Sequence, residues 1–366
     1  MTRHIPALFL ALLLVGPAAA GTPPASSVYL APADAFPDLE FYGLLAPTDY
    51  AKLGLDRSEG PVRLSEIPGD VLVVEFFNKS CVPCQRQVRE VEAFYQELER
   101  RGLLGRIRLL AIAAGNNPKY LGRYRKRRKL TYPITADPQF DQWRRIGDPG
   151  RTPFTLFLVR RDGTWRLARY SFGVQWKQEL LGHALTLLAR PEEALASATG
   201  LPVDPTPLVL PLDAAGVRAK ARALIRRAAG DPAADVAVVE LGDGTSVYQA
   251  VSKGHRLPVF AKVASRRPVC EVCEAVHFLF AFDRGGRILG FEPIHVTKYG
   301  NEEWDERDWQ FFEKRVTGRN MADLPFDPKV DAVSKATMSS ALIFDEMRRT
   351  LPLLKKLPAD GAGGGG

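Results

Sequence analysis

The stretch Val71–Gln85, VLVVEFFNKSCVPCQ, decides the fold of the first half of this chain. Its apolar and aromatic part, Val71–Phe77, predicts a buried strand. A helical pattern follows over residues 85–101, with these apolar positions on one face: Val88, Val91, Phe94, Tyr95 and Leu98. Between the two elements lies Cys81-Val82-Pro83-Cys84, so both cysteines are predicted to lie where a strand ends and a helix begins.

This placement of the cysteines has a chemical reason. The free N–H groups and the positive dipole end of a helix stabilise an anion, which here would be a thiolate on Cys81. Two intervening residues let Cys84 come round the first helical turn and close a disulfide with Cys81. Pro83 costs little there, because its missing N–H would be unpaired in the first turn anyway.

Two further features accompany the CVPC sequence: Glu75, six residues before Cys81, and Thr152-Pro153, directly before an apolar strand. With these motifs, residues from about Leu64 to Leu188 resemble the thioredoxin superfamily, most closely its secreted, TlpA-like disulfide oxidoreductases. The resemblance implies a thioredoxin-like α/β fold, in which helices flank a central mixed sheet.

The resemblance also implies roles for individual residues. Cys81 and Cys84 would be the redox-active pair, and Glu75 a buried proton acceptor for Cys84. Pro153 would be a cis-proline that packs against the disulfide and presents backbone to a substrate. Ser80 stands where many relatives carry Trp, and Val82-Pro83 replaces the Gly-Pro of thioredoxin itself, so the redox potential and the direction of electron flow stay open.

Each of these residues also has a plain structural interpretation. The cysteines could form a structural disulfide, or belong to a fold that has lost its activity. Glu75 could be an ordinary charged residue of an edge strand, and Pro153 a turn proline. Because all of them occur in register, we favour a redox-active site.

Length and composition set the frame for the rest of the chain. At 366 residues it is long enough for two domains. The net charge of +8 comes largely from residues 123–129, RYRKRRK. Such a run can bind nucleic acid or an anionic membrane surface, but aromatic residues do not form a stacking platform with it. We therefore interpret it as a solvated helix face and expect no nucleic-acid partner.

The pattern of segments predicts an exported, two-domain protein. Residues 1–20 have the basic start, short apolar core and small-residue end of a secretory signal peptide. We expect the mature chain to be soluble and periplasmic or extracellular. The predicted organisation is a signal peptide (1–20), a tether (21–37), a thioredoxin-like domain (38–190), a proline-rich linker (191–212), a second α+β domain (213–355) and a flexible tail (356–366).

The second domain contains Val330–Ser340, VDAVSKATMSS, at the start of the last predicted helix. This motif, with a weaker match from about Ser246 onwards, resembles the FMN-binding domain of membrane electron-transport and regulatory flavoproteins. The resemblance implies that Thr337 carries FMN through a phosphoester, and it places Asp331, Ser334 and Lys335 at the cofactor site. Lys335 occupies the motif's glycine position. Covalent FMN, non-covalent FMN and a domain that has lost its flavin therefore all stay open.

A second CxxC, Cys270-Glu271-Val272-Cys273, also lies in this domain. Cationic neighbours at Arg266 and Arg267 would lower a thiol pKa, which favours a second redox pair. A structural disulfide is the main alternative. A metal site with His255, His277 or His295 is a weaker one, because a single CxxC with this histidine spacing is not a zinc-finger pattern; we expect no metal.

The sequence thus predicts an exported thiol–disulfide oxidoreductase that reduces protein disulfides at Cys81/Cys84. Its electrons would come from the C-terminal flavin or from Cys270/Cys273, and a membrane protein is one candidate for the ultimate donor. Two alternatives stay open. One is a disulfide oxidase or isomerase; the other is a non-enzymatic, metallochaperone-like maturation factor that uses its dithiols as soft ligands.

Overall fold

A computed structural model describes residues 28–31, 34–202, 208–242, 244–270 and 273–358, so the predicted signal peptide and most of the predicted tail lie outside the described residues. The strands are, in chain order, β1 (Val28–Leu30), β2 (Glu40–Phe41), β3 (Val62–Arg63), β4 (Val71–Phe77), β5 (Ile107–Ala114), β6 (Ile134–Asp137), β7 (Phe154–Arg161), β8 (Thr164–Phe172), β9 (Leu201–Pro202), β10 (Asp235–Glu240), β11 (Ser246–Ser252), β12 (His255–Arg266), β13 (Val276–Asp283), β14 (Ile288–His295), β15 (Thr297–Lys298) and β16 (Glu302–Glu303). The α-helices are α1 (Pro47–Leu53), α2 (Val82–Arg100), α3 (Pro118–Arg128), α4 (Asp141–Arg145), α5 (Lys177–Ala189), α6 (Pro191–Ala196), α7 (Ala214–Ala229), α8 (Glu306–Val316) and α9 (Thr337–Arg349).

The first large sheet has the strand order β6-β5-β4-β7-β8. Strands β4, β5 and β6 are parallel, whereas β7 and β8 are antiparallel to their neighbours. Every residue of the central strand β4 is buried, as its apolar sequence predicts. Helices α2 and α5 pack against each other on one face. This is the predicted thioredoxin-like fold with a mixed central sheet.

The second large sheet is an antiparallel meander with the order β10-β11-β12-β13-β14. Helix α7 covers one face through Ala221, Leu224 and Ile225. The other face carries a row of phenylalanines from β12 and β13 and packs against α9. Because both faces are covered, β13 is apolar at nearly every position rather than alternating.

Strand β12 is longer than its sequence indicates. The largely apolar residues 258–264 predict a strand of that length, but pairing with β11 begins at His255. Pro258 lies within β12 where the register between β11 and β12 shifts, opposite residue 250. A bulge accommodates a proline because it relieves the residue of a ladder hydrogen bond, so Pro258 interrupts the pairing without ending the strand.

The two sheet regions pack against each other. One continuous cluster of buried side chains includes Phe76 and Phe154 from the first region and Phe278 and Phe344 from the second. Part of the predicted tether forms β1, which pairs with β9 of the predicted linker, and α6 also lies in that linker. The assignment of these segments as domain boundaries stays a prediction. None of the helices in the described ranges has both the length and the apolar character needed to cross a lipid bilayer.

Candidate functional site

Cys81 is the N-cap residue of α2, directly after the turn that follows β4. Its carbonyl accepts a hydrogen bond from the N–H of Gln85, and its own side chain is 1% exposed. Cys84 is fully buried in the first helical turn, and both residues are reduced thiols. The structure thus places the two cysteines at the strand-to-helix junction that the sequence predicted, with Pro83 in the first turn.

The buried position of Cys84 makes its thiolate unfavourable. Burial, followed by the neighbouring Cys81, raises the pKa of the Cys84 thiol well above its ordinary value. The side chain of Thr152 and, to a smaller extent, the backbone N–H of Asn78, 3.5 Å from Cys84 Sγ, lower this pKa and offset the rise only in part. Cys84 therefore needs a proton acceptor before it can act as a nucleophile.

Glu75 lies on β4 and is 1% exposed, with its Oε2 2.6 Å from the donating hydroxyl of Thr155. Burial raises the pKa of Glu75 to about 8, and the hydrogen bond from Thr155 offsets this only in part. Its other carboxylate oxygen, Oε1, has no hydrogen-bond partner among the described residues. A buried carboxyl group with a pKa close to neutral can hold and release a proton under ordinary conditions.

The Thr152–Pro153 peptide bond is cis, as its sequence context indicates. The Thr152 carbonyl accepts a hydrogen bond from the Cys81 thiol at 3.5 Å. The N–H and the hydroxyl of Thr152 both donate to the carbonyl of Val269, at 2.9 Å and 2.5 Å. Thr152 and Cys270 also form a parallel β-bridge. The loop that the resemblance assigns to substrate backbone thus pairs with backbone of this same chain.

The second CxxC forms a Cys270–Cys273 disulfide. Cys270 is buried with Cys81 and Cys84 in one cluster, and Cys273 packs against it. Arg266 turns towards the carboxylates of Asp148, Asp345 and Glu346. The pairing itself fits a redox pair and a structural disulfide equally well, so both interpretations of the pair stand.

The histidines named for a metal site have other partners. His277 Nδ1 lies 2.8 Å from the hydroxyl of Ser265, and His295 contacts the carboxylates of Glu274 and Glu303. His255 is exposed at the start of β12. Within the part of the chain that the structure describes, no group of three or more histidine, cysteine or acidic side chains is arranged to hold a metal ion.

A cavity of about 640 Å³ is lined by residues of all three sequence motifs: the first CxxC, the second CxxC and the motif at 330–340. Its wall is formed by the first cysteine turn, by both cysteines of the second pair, by the β15–β16 turn and by the start of α9: Ser80–Pro83, Cys270, Cys273, Thr297–Asn301 and Lys335–Ser339. This volume lies in the range of small-molecule and cofactor sites. The sequence indicated each motif separately, and the structure brings them to one place.

Thr337 is the first residue of α9 and lies at the cavity wall. Helix α9 has no side-chain cap, so the N–H groups of its first turn lack the partner that a capping side chain supplies. Such an N-terminus favours a phosphate group, and Thr337 and Lys335 are both residues of the cavity wall. The residues present therefore fit the phosphate end of FMN.

Lys335 has a backbone conformation that usually favours glycine, the residue of the related motif at this position. Its φ of 61° is in the left-handed region, where glycine avoids the strain that a side chain causes. Its carbonyl accepts a hydrogen bond from the N–H of Tyr299 at 2.8 Å. Lys335 thus has a backbone conformation that glycine adopts without strain, and it adds a positively charged residue to the cavity wall.

The other residues of this motif have different surroundings. Asp331 is buried and pairs with Arg319 at 3.2 Å, and it also accepts a hydrogen bond from the N–H of Asp327. Ser340 is buried and accepts from the N–H of Val333. Ser334 is exposed. Neither Asp331 nor Ser334 lines the cavity, so the predicted cofactor residues divide into two that line it and two that stand behind or outside it.

Sequence reasoning missed several residues of the site. The sequence analysis did not identify Thr155. In the structure its hydroxyl donates a hydrogen bond to the buried carboxylate of Glu75 on the neighbouring strand. The contact of Thr152 with Val269 joins positions more than a hundred residues apart. Nothing in the local pattern around either residue indicates that contact.

Comparisons with known proteins give matches that cover part of this chain. Residues 34–166 match the model of the AhpC/TSA family. The proteins named thiol-disulfide oxidoreductase ResA from Geobacillus thermodenitrificans and Geobacillus kaustophilus are each 26% identical over 121 residues, which are 33% of this chain and 65% of theirs. The chain thus spans just under two thirds of the length of these relatives. The thioredoxin-superfamily resemblance is confirmed for this region, while the FMN-binding resemblance stays a prediction.

Solved structures with similarity to this chain include two from other bacteria. A secreted thiol-disulfide isomerase from Corynebacterium glutamicum is 20% identical, with a TM-score of 0.35, and the match covers 47% of this chain and 96% of that one. StoA from Bacillus subtilis is 15% identical, with a TM-score of 0.31, and the match covers 40% of this chain and 97% of that one.

Proposed function

We propose that this protein is an exported thiol–disulfide oxidoreductase, which reduces protein disulfides at Cys81/Cys84 and receives its electrons through the C-terminal region. The observation that carries this proposal is the pairing of Thr152 with Val269 and Cys270, which sets the second cysteine pair in the same cavity as Cys81. The similarity to proteins named thiol-disulfide oxidoreductase supports the reaction class.

The exchange between the two pairs conserves atoms and electrons. A Cys270 thiolate attacks Sγ of Cys81 in the oxidised Cys81–Cys84 pair, forms a Cys81–Cys270 disulfide and releases Cys84 as a thiolate. Cys273 then attacks Cys270, which restores the Cys270–Cys273 disulfide and releases Cys81. The protons of the Cys270/Cys273 dithiol end on Cys81 and Cys84, so one dithiol is oxidised and the other reduced.

Reduction of an external protein uses the same chemistry at Cys81. The Cys81 thiolate attacks the substrate disulfide, and Cys84 then attacks the mixed disulfide to release the reduced substrate. Because burial raises the pKa of Cys84, this second attack needs a base. Glu75 would accept the Cys84 proton, either directly or through an intervening water, since its carboxyl group is buried on the strand that leads to the cysteines and has a pKa of about 8.

The flavin expectation is kept as part of this proposal. Thr337 would carry or contact the phosphate of FMN at the start of α9, and Lys335 would balance its charge. A bound flavin would supply the C-terminal region with two electrons. The position of Cys273 on the same cavity wall supports a role for the second cysteine pair between that electron source and Cys81.

Trapping the mixed disulfide tests the relay. In the Cys84→Ser/Cys273→Ser chain, Cys81 and Cys270 have lost their resolving partners, and we expect them to form a disulfide that non-reducing peptide mass mapping detects. The matched control is Cys84→Ser/Cys270→Ser, in which the remaining Cys273 should cross-link far less, because Cys270 is the bridge partner of Thr152. If Cys81 forms a disulfide neither with Cys270 in the first variant nor with Cys273 in the control, the relay is refuted.

A turnover assay tests the same proposal independently. With a complete electron supply from the native cell envelope, the Cys270→Ser/Cys273→Ser chain should lose most of its protein-disulfide reduction. With a chemical reductant that acts on Cys81/Cys84 directly, the same variant should keep its activity. Unchanged turnover in the complete system would show that the second pair is only structural.

A further inference from the structure

Thr152 contacts both the thiol of Cys81 and the segment that follows β12 and carries the second disulfide. Its carbonyl accepts from the Cys81 thiol, while its N–H and hydroxyl both donate to the carbonyl of Val269. The residue is fully buried. The N–H donor is available from any residue except proline at this position, whereas the hydroxyl donor is specific to threonine or serine.

Arg266 anchors the chain three residues before Val269, at the end of β12. It is the last residue of β12, and its side chain is 3% exposed. Its guanidinium group faces Asp345 at 3.1 Å and Glu346 at 3.6 Å, both on α9, and Asp148 at 3.6 Å in the loop before Thr152. Arg144 of the thioredoxin-like region pairs with the same Asp345 at 2.7 Å.

These charges form a buried cluster that spans both sheet regions. None of the guanidinium nitrogens of Arg266 makes a well-directed hydrogen bond among the described residues. Burying charges without full hydrogen bonding costs stability, and replacing a whole buried ion cluster with apolar side chains is often neutral or stabilising. We therefore interpret the cluster as a contact that fixes the position of the segment after β12, rather than as a source of stability.

We propose that Arg266 and Thr152 are positioning residues that hold the segment 269–270 on the Cys81 loop, so that Cys81 reacts with the internal cysteine pair in preference to external protein disulfides. This inference rests on the proposed function and adds a specificity to it. Cys81 is 1% exposed, and both donors of Thr152 are already used. An external substrate strand must therefore displace Val269 before it can pair with this loop.

Loosening the segment 269–270 should change two measurable quantities in opposite directions. The effective concentration of Cys270 at Cys81 falls, because the second thiol is no longer held in place. The rate at which external disulfides reach Cys81 rises, because the loop becomes available to them. A residue with a purely structural role would lower both quantities together, so the ratio of the two separates positioning from general damage.

The first measurement uses the full chain with Cys84→Ser and Cys273→Ser, which leaves Cys81 and Cys270. Equilibration in buffers of reduced and oxidised glutathione gives the effective concentration of the two thiols. Thr152→Val keeps the shape and the N–H but removes the hydroxyl, and it should lower this concentration at least tenfold. Thr152→Ser keeps the hydroxyl and should stay within twofold of the parent chain.

The second measurement is single-turnover reduction of insulin by the fully reduced chain with all four cysteines. Thr152→Val should reduce insulin at least threefold faster than the parent, and Thr152→Ser at nearly the parent rate. Arg266→Met should change both measurements in the same directions as Thr152→Val, and Arg266→Lys, which keeps the positive charge, should recover part of each. If Arg266→Met fails to fold, Thr152→Val still decides the question.

The outcomes separate this inference from the proposed function. An effective concentration within twofold of the parent in Thr152→Val, or a fall of both measurements together, would overturn the positioning role. If the parent chain forms no Cys81–Cys270 disulfide at any glutathione ratio, the relay itself fails. If that disulfide forms but Thr152→Val leaves the ratio unchanged, the relay stands and the selection does not.

Discussion

The hydroxyl of Thr155 donates a 2.6 Å hydrogen bond to Oε2 of Glu75, from one strand of the central sheet to its neighbour. Both side chains are buried, so water does not replace this bond when it is lost. The bond stabilises the charged form of Glu75 against the burial that raises its pKa. Thr155 therefore helps to set the pH at which Glu75 can accept a proton.

Removing this hydroxyl should shift the pH profile of the reaction. We expect Thr155→Val to raise the pKa of Glu75 further, by about 1–2 units, since a hydrogen bond to a charged group contributes about 1.5–3 kcal/mol. At neutral pH the release of mixed disulfides should slow about tenfold. Rate–pH profiles of single-turnover disulfide reduction would measure the shift. Thr155→Ser should keep the parental profile, and equal profiles for the valine and serine variants would contradict this role.

Glu75 should also make the fold less stable as pH rises. The folded carboxyl group stays protonated up to about pH 8, whereas the unfolded one ionises near its ordinary value of 4.5. Between these values unfolding releases a proton, so stability decreases by up to about 1.4 kcal/mol per pH unit. Below pH 4.5 both states are protonated and the effect vanishes; above about pH 8 the loss is complete.

The Glu75→Gln variant lacks this titration. Its stability relative to the parent should therefore increase from pH 5 to pH 8, by up to roughly 4 kcal/mol. Urea unfolding of the reduced proteins at both pH values would measure the difference. Parallel pH dependences for parent and variant would show that Glu75 is already ionised in the folded protein.

The short-range features of the site follow from sequence because neighbouring residues determine them. The apolar run that ends at Phe77 and the helical pattern after Cys84 put the cysteines at the junction of β4 and α2, where the structure has them. Asn117 caps α3 by accepting a hydrogen bond from the N–H of Lys119, which is likewise a contact between near neighbours in the chain. These elements needed no knowledge of the rest of the chain.

The long-range features could not be predicted in this way. Arg266 appeared from its neighbours to be a charge beside Cys270, but in the fold it pairs with Asp148 and Asp345, residues far away in the chain. Lys335 appeared to break a glycine motif, yet its backbone is in the left-handed region that glycine adopts without strain. In both cases the partner or conformation depends on how the two sheet regions pack, which no local pattern encodes.

One residue of the basic run on α3, Arg125, pairs with a buried carboxylate. Arg125 makes two hydrogen bonds to the carboxylate of Asp49, which is fully buried, while Arg123, Lys126 and Arg127 are exposed. Arg125→Met would remove both of these hydrogen bonds and leave that carboxylate with the longer ion pair to Lys52, at 3.8 Å. We expect a loss of about 3–5 kcal/mol in the free energy of unfolding. The exposed run otherwise fits the solvated helix face that the sequence indicated.

Matched controls for this prediction lie on the same helix. Lys126→Met and Arg127→Met should each change stability by no more than about 0.5 kcal/mol, because neither exposed side chain supports a buried partner. Denaturant unfolding of the three variants provides the comparison. An equal and small effect of all three would mean that Asp49 is neutral or otherwise paired.

The flavin expectation makes a prediction that requires no activity assay. If Thr337 carries FMN through a phosphoester, protein purified from its native cell envelope should show a flavin spectrum that stays with the acid-precipitated chain. Its intact mass should increase accordingly, with the added mass on the Thr337 peptide. Thr337→Ala should abolish both signals. Ser339→Ala should keep them, because Ser339 lies two residues further along α9 and donates its hydroxyl to the carbonyl of Thr297. A flavin that is lost on precipitation would indicate non-covalent binding at the start of α9. A colourless chain of unmodified mass, in the parent and in a Lys335→Gly variant that restores the motif's glycine, would leave Cys270/Cys273 as the sole proposed electron entry to Cys81.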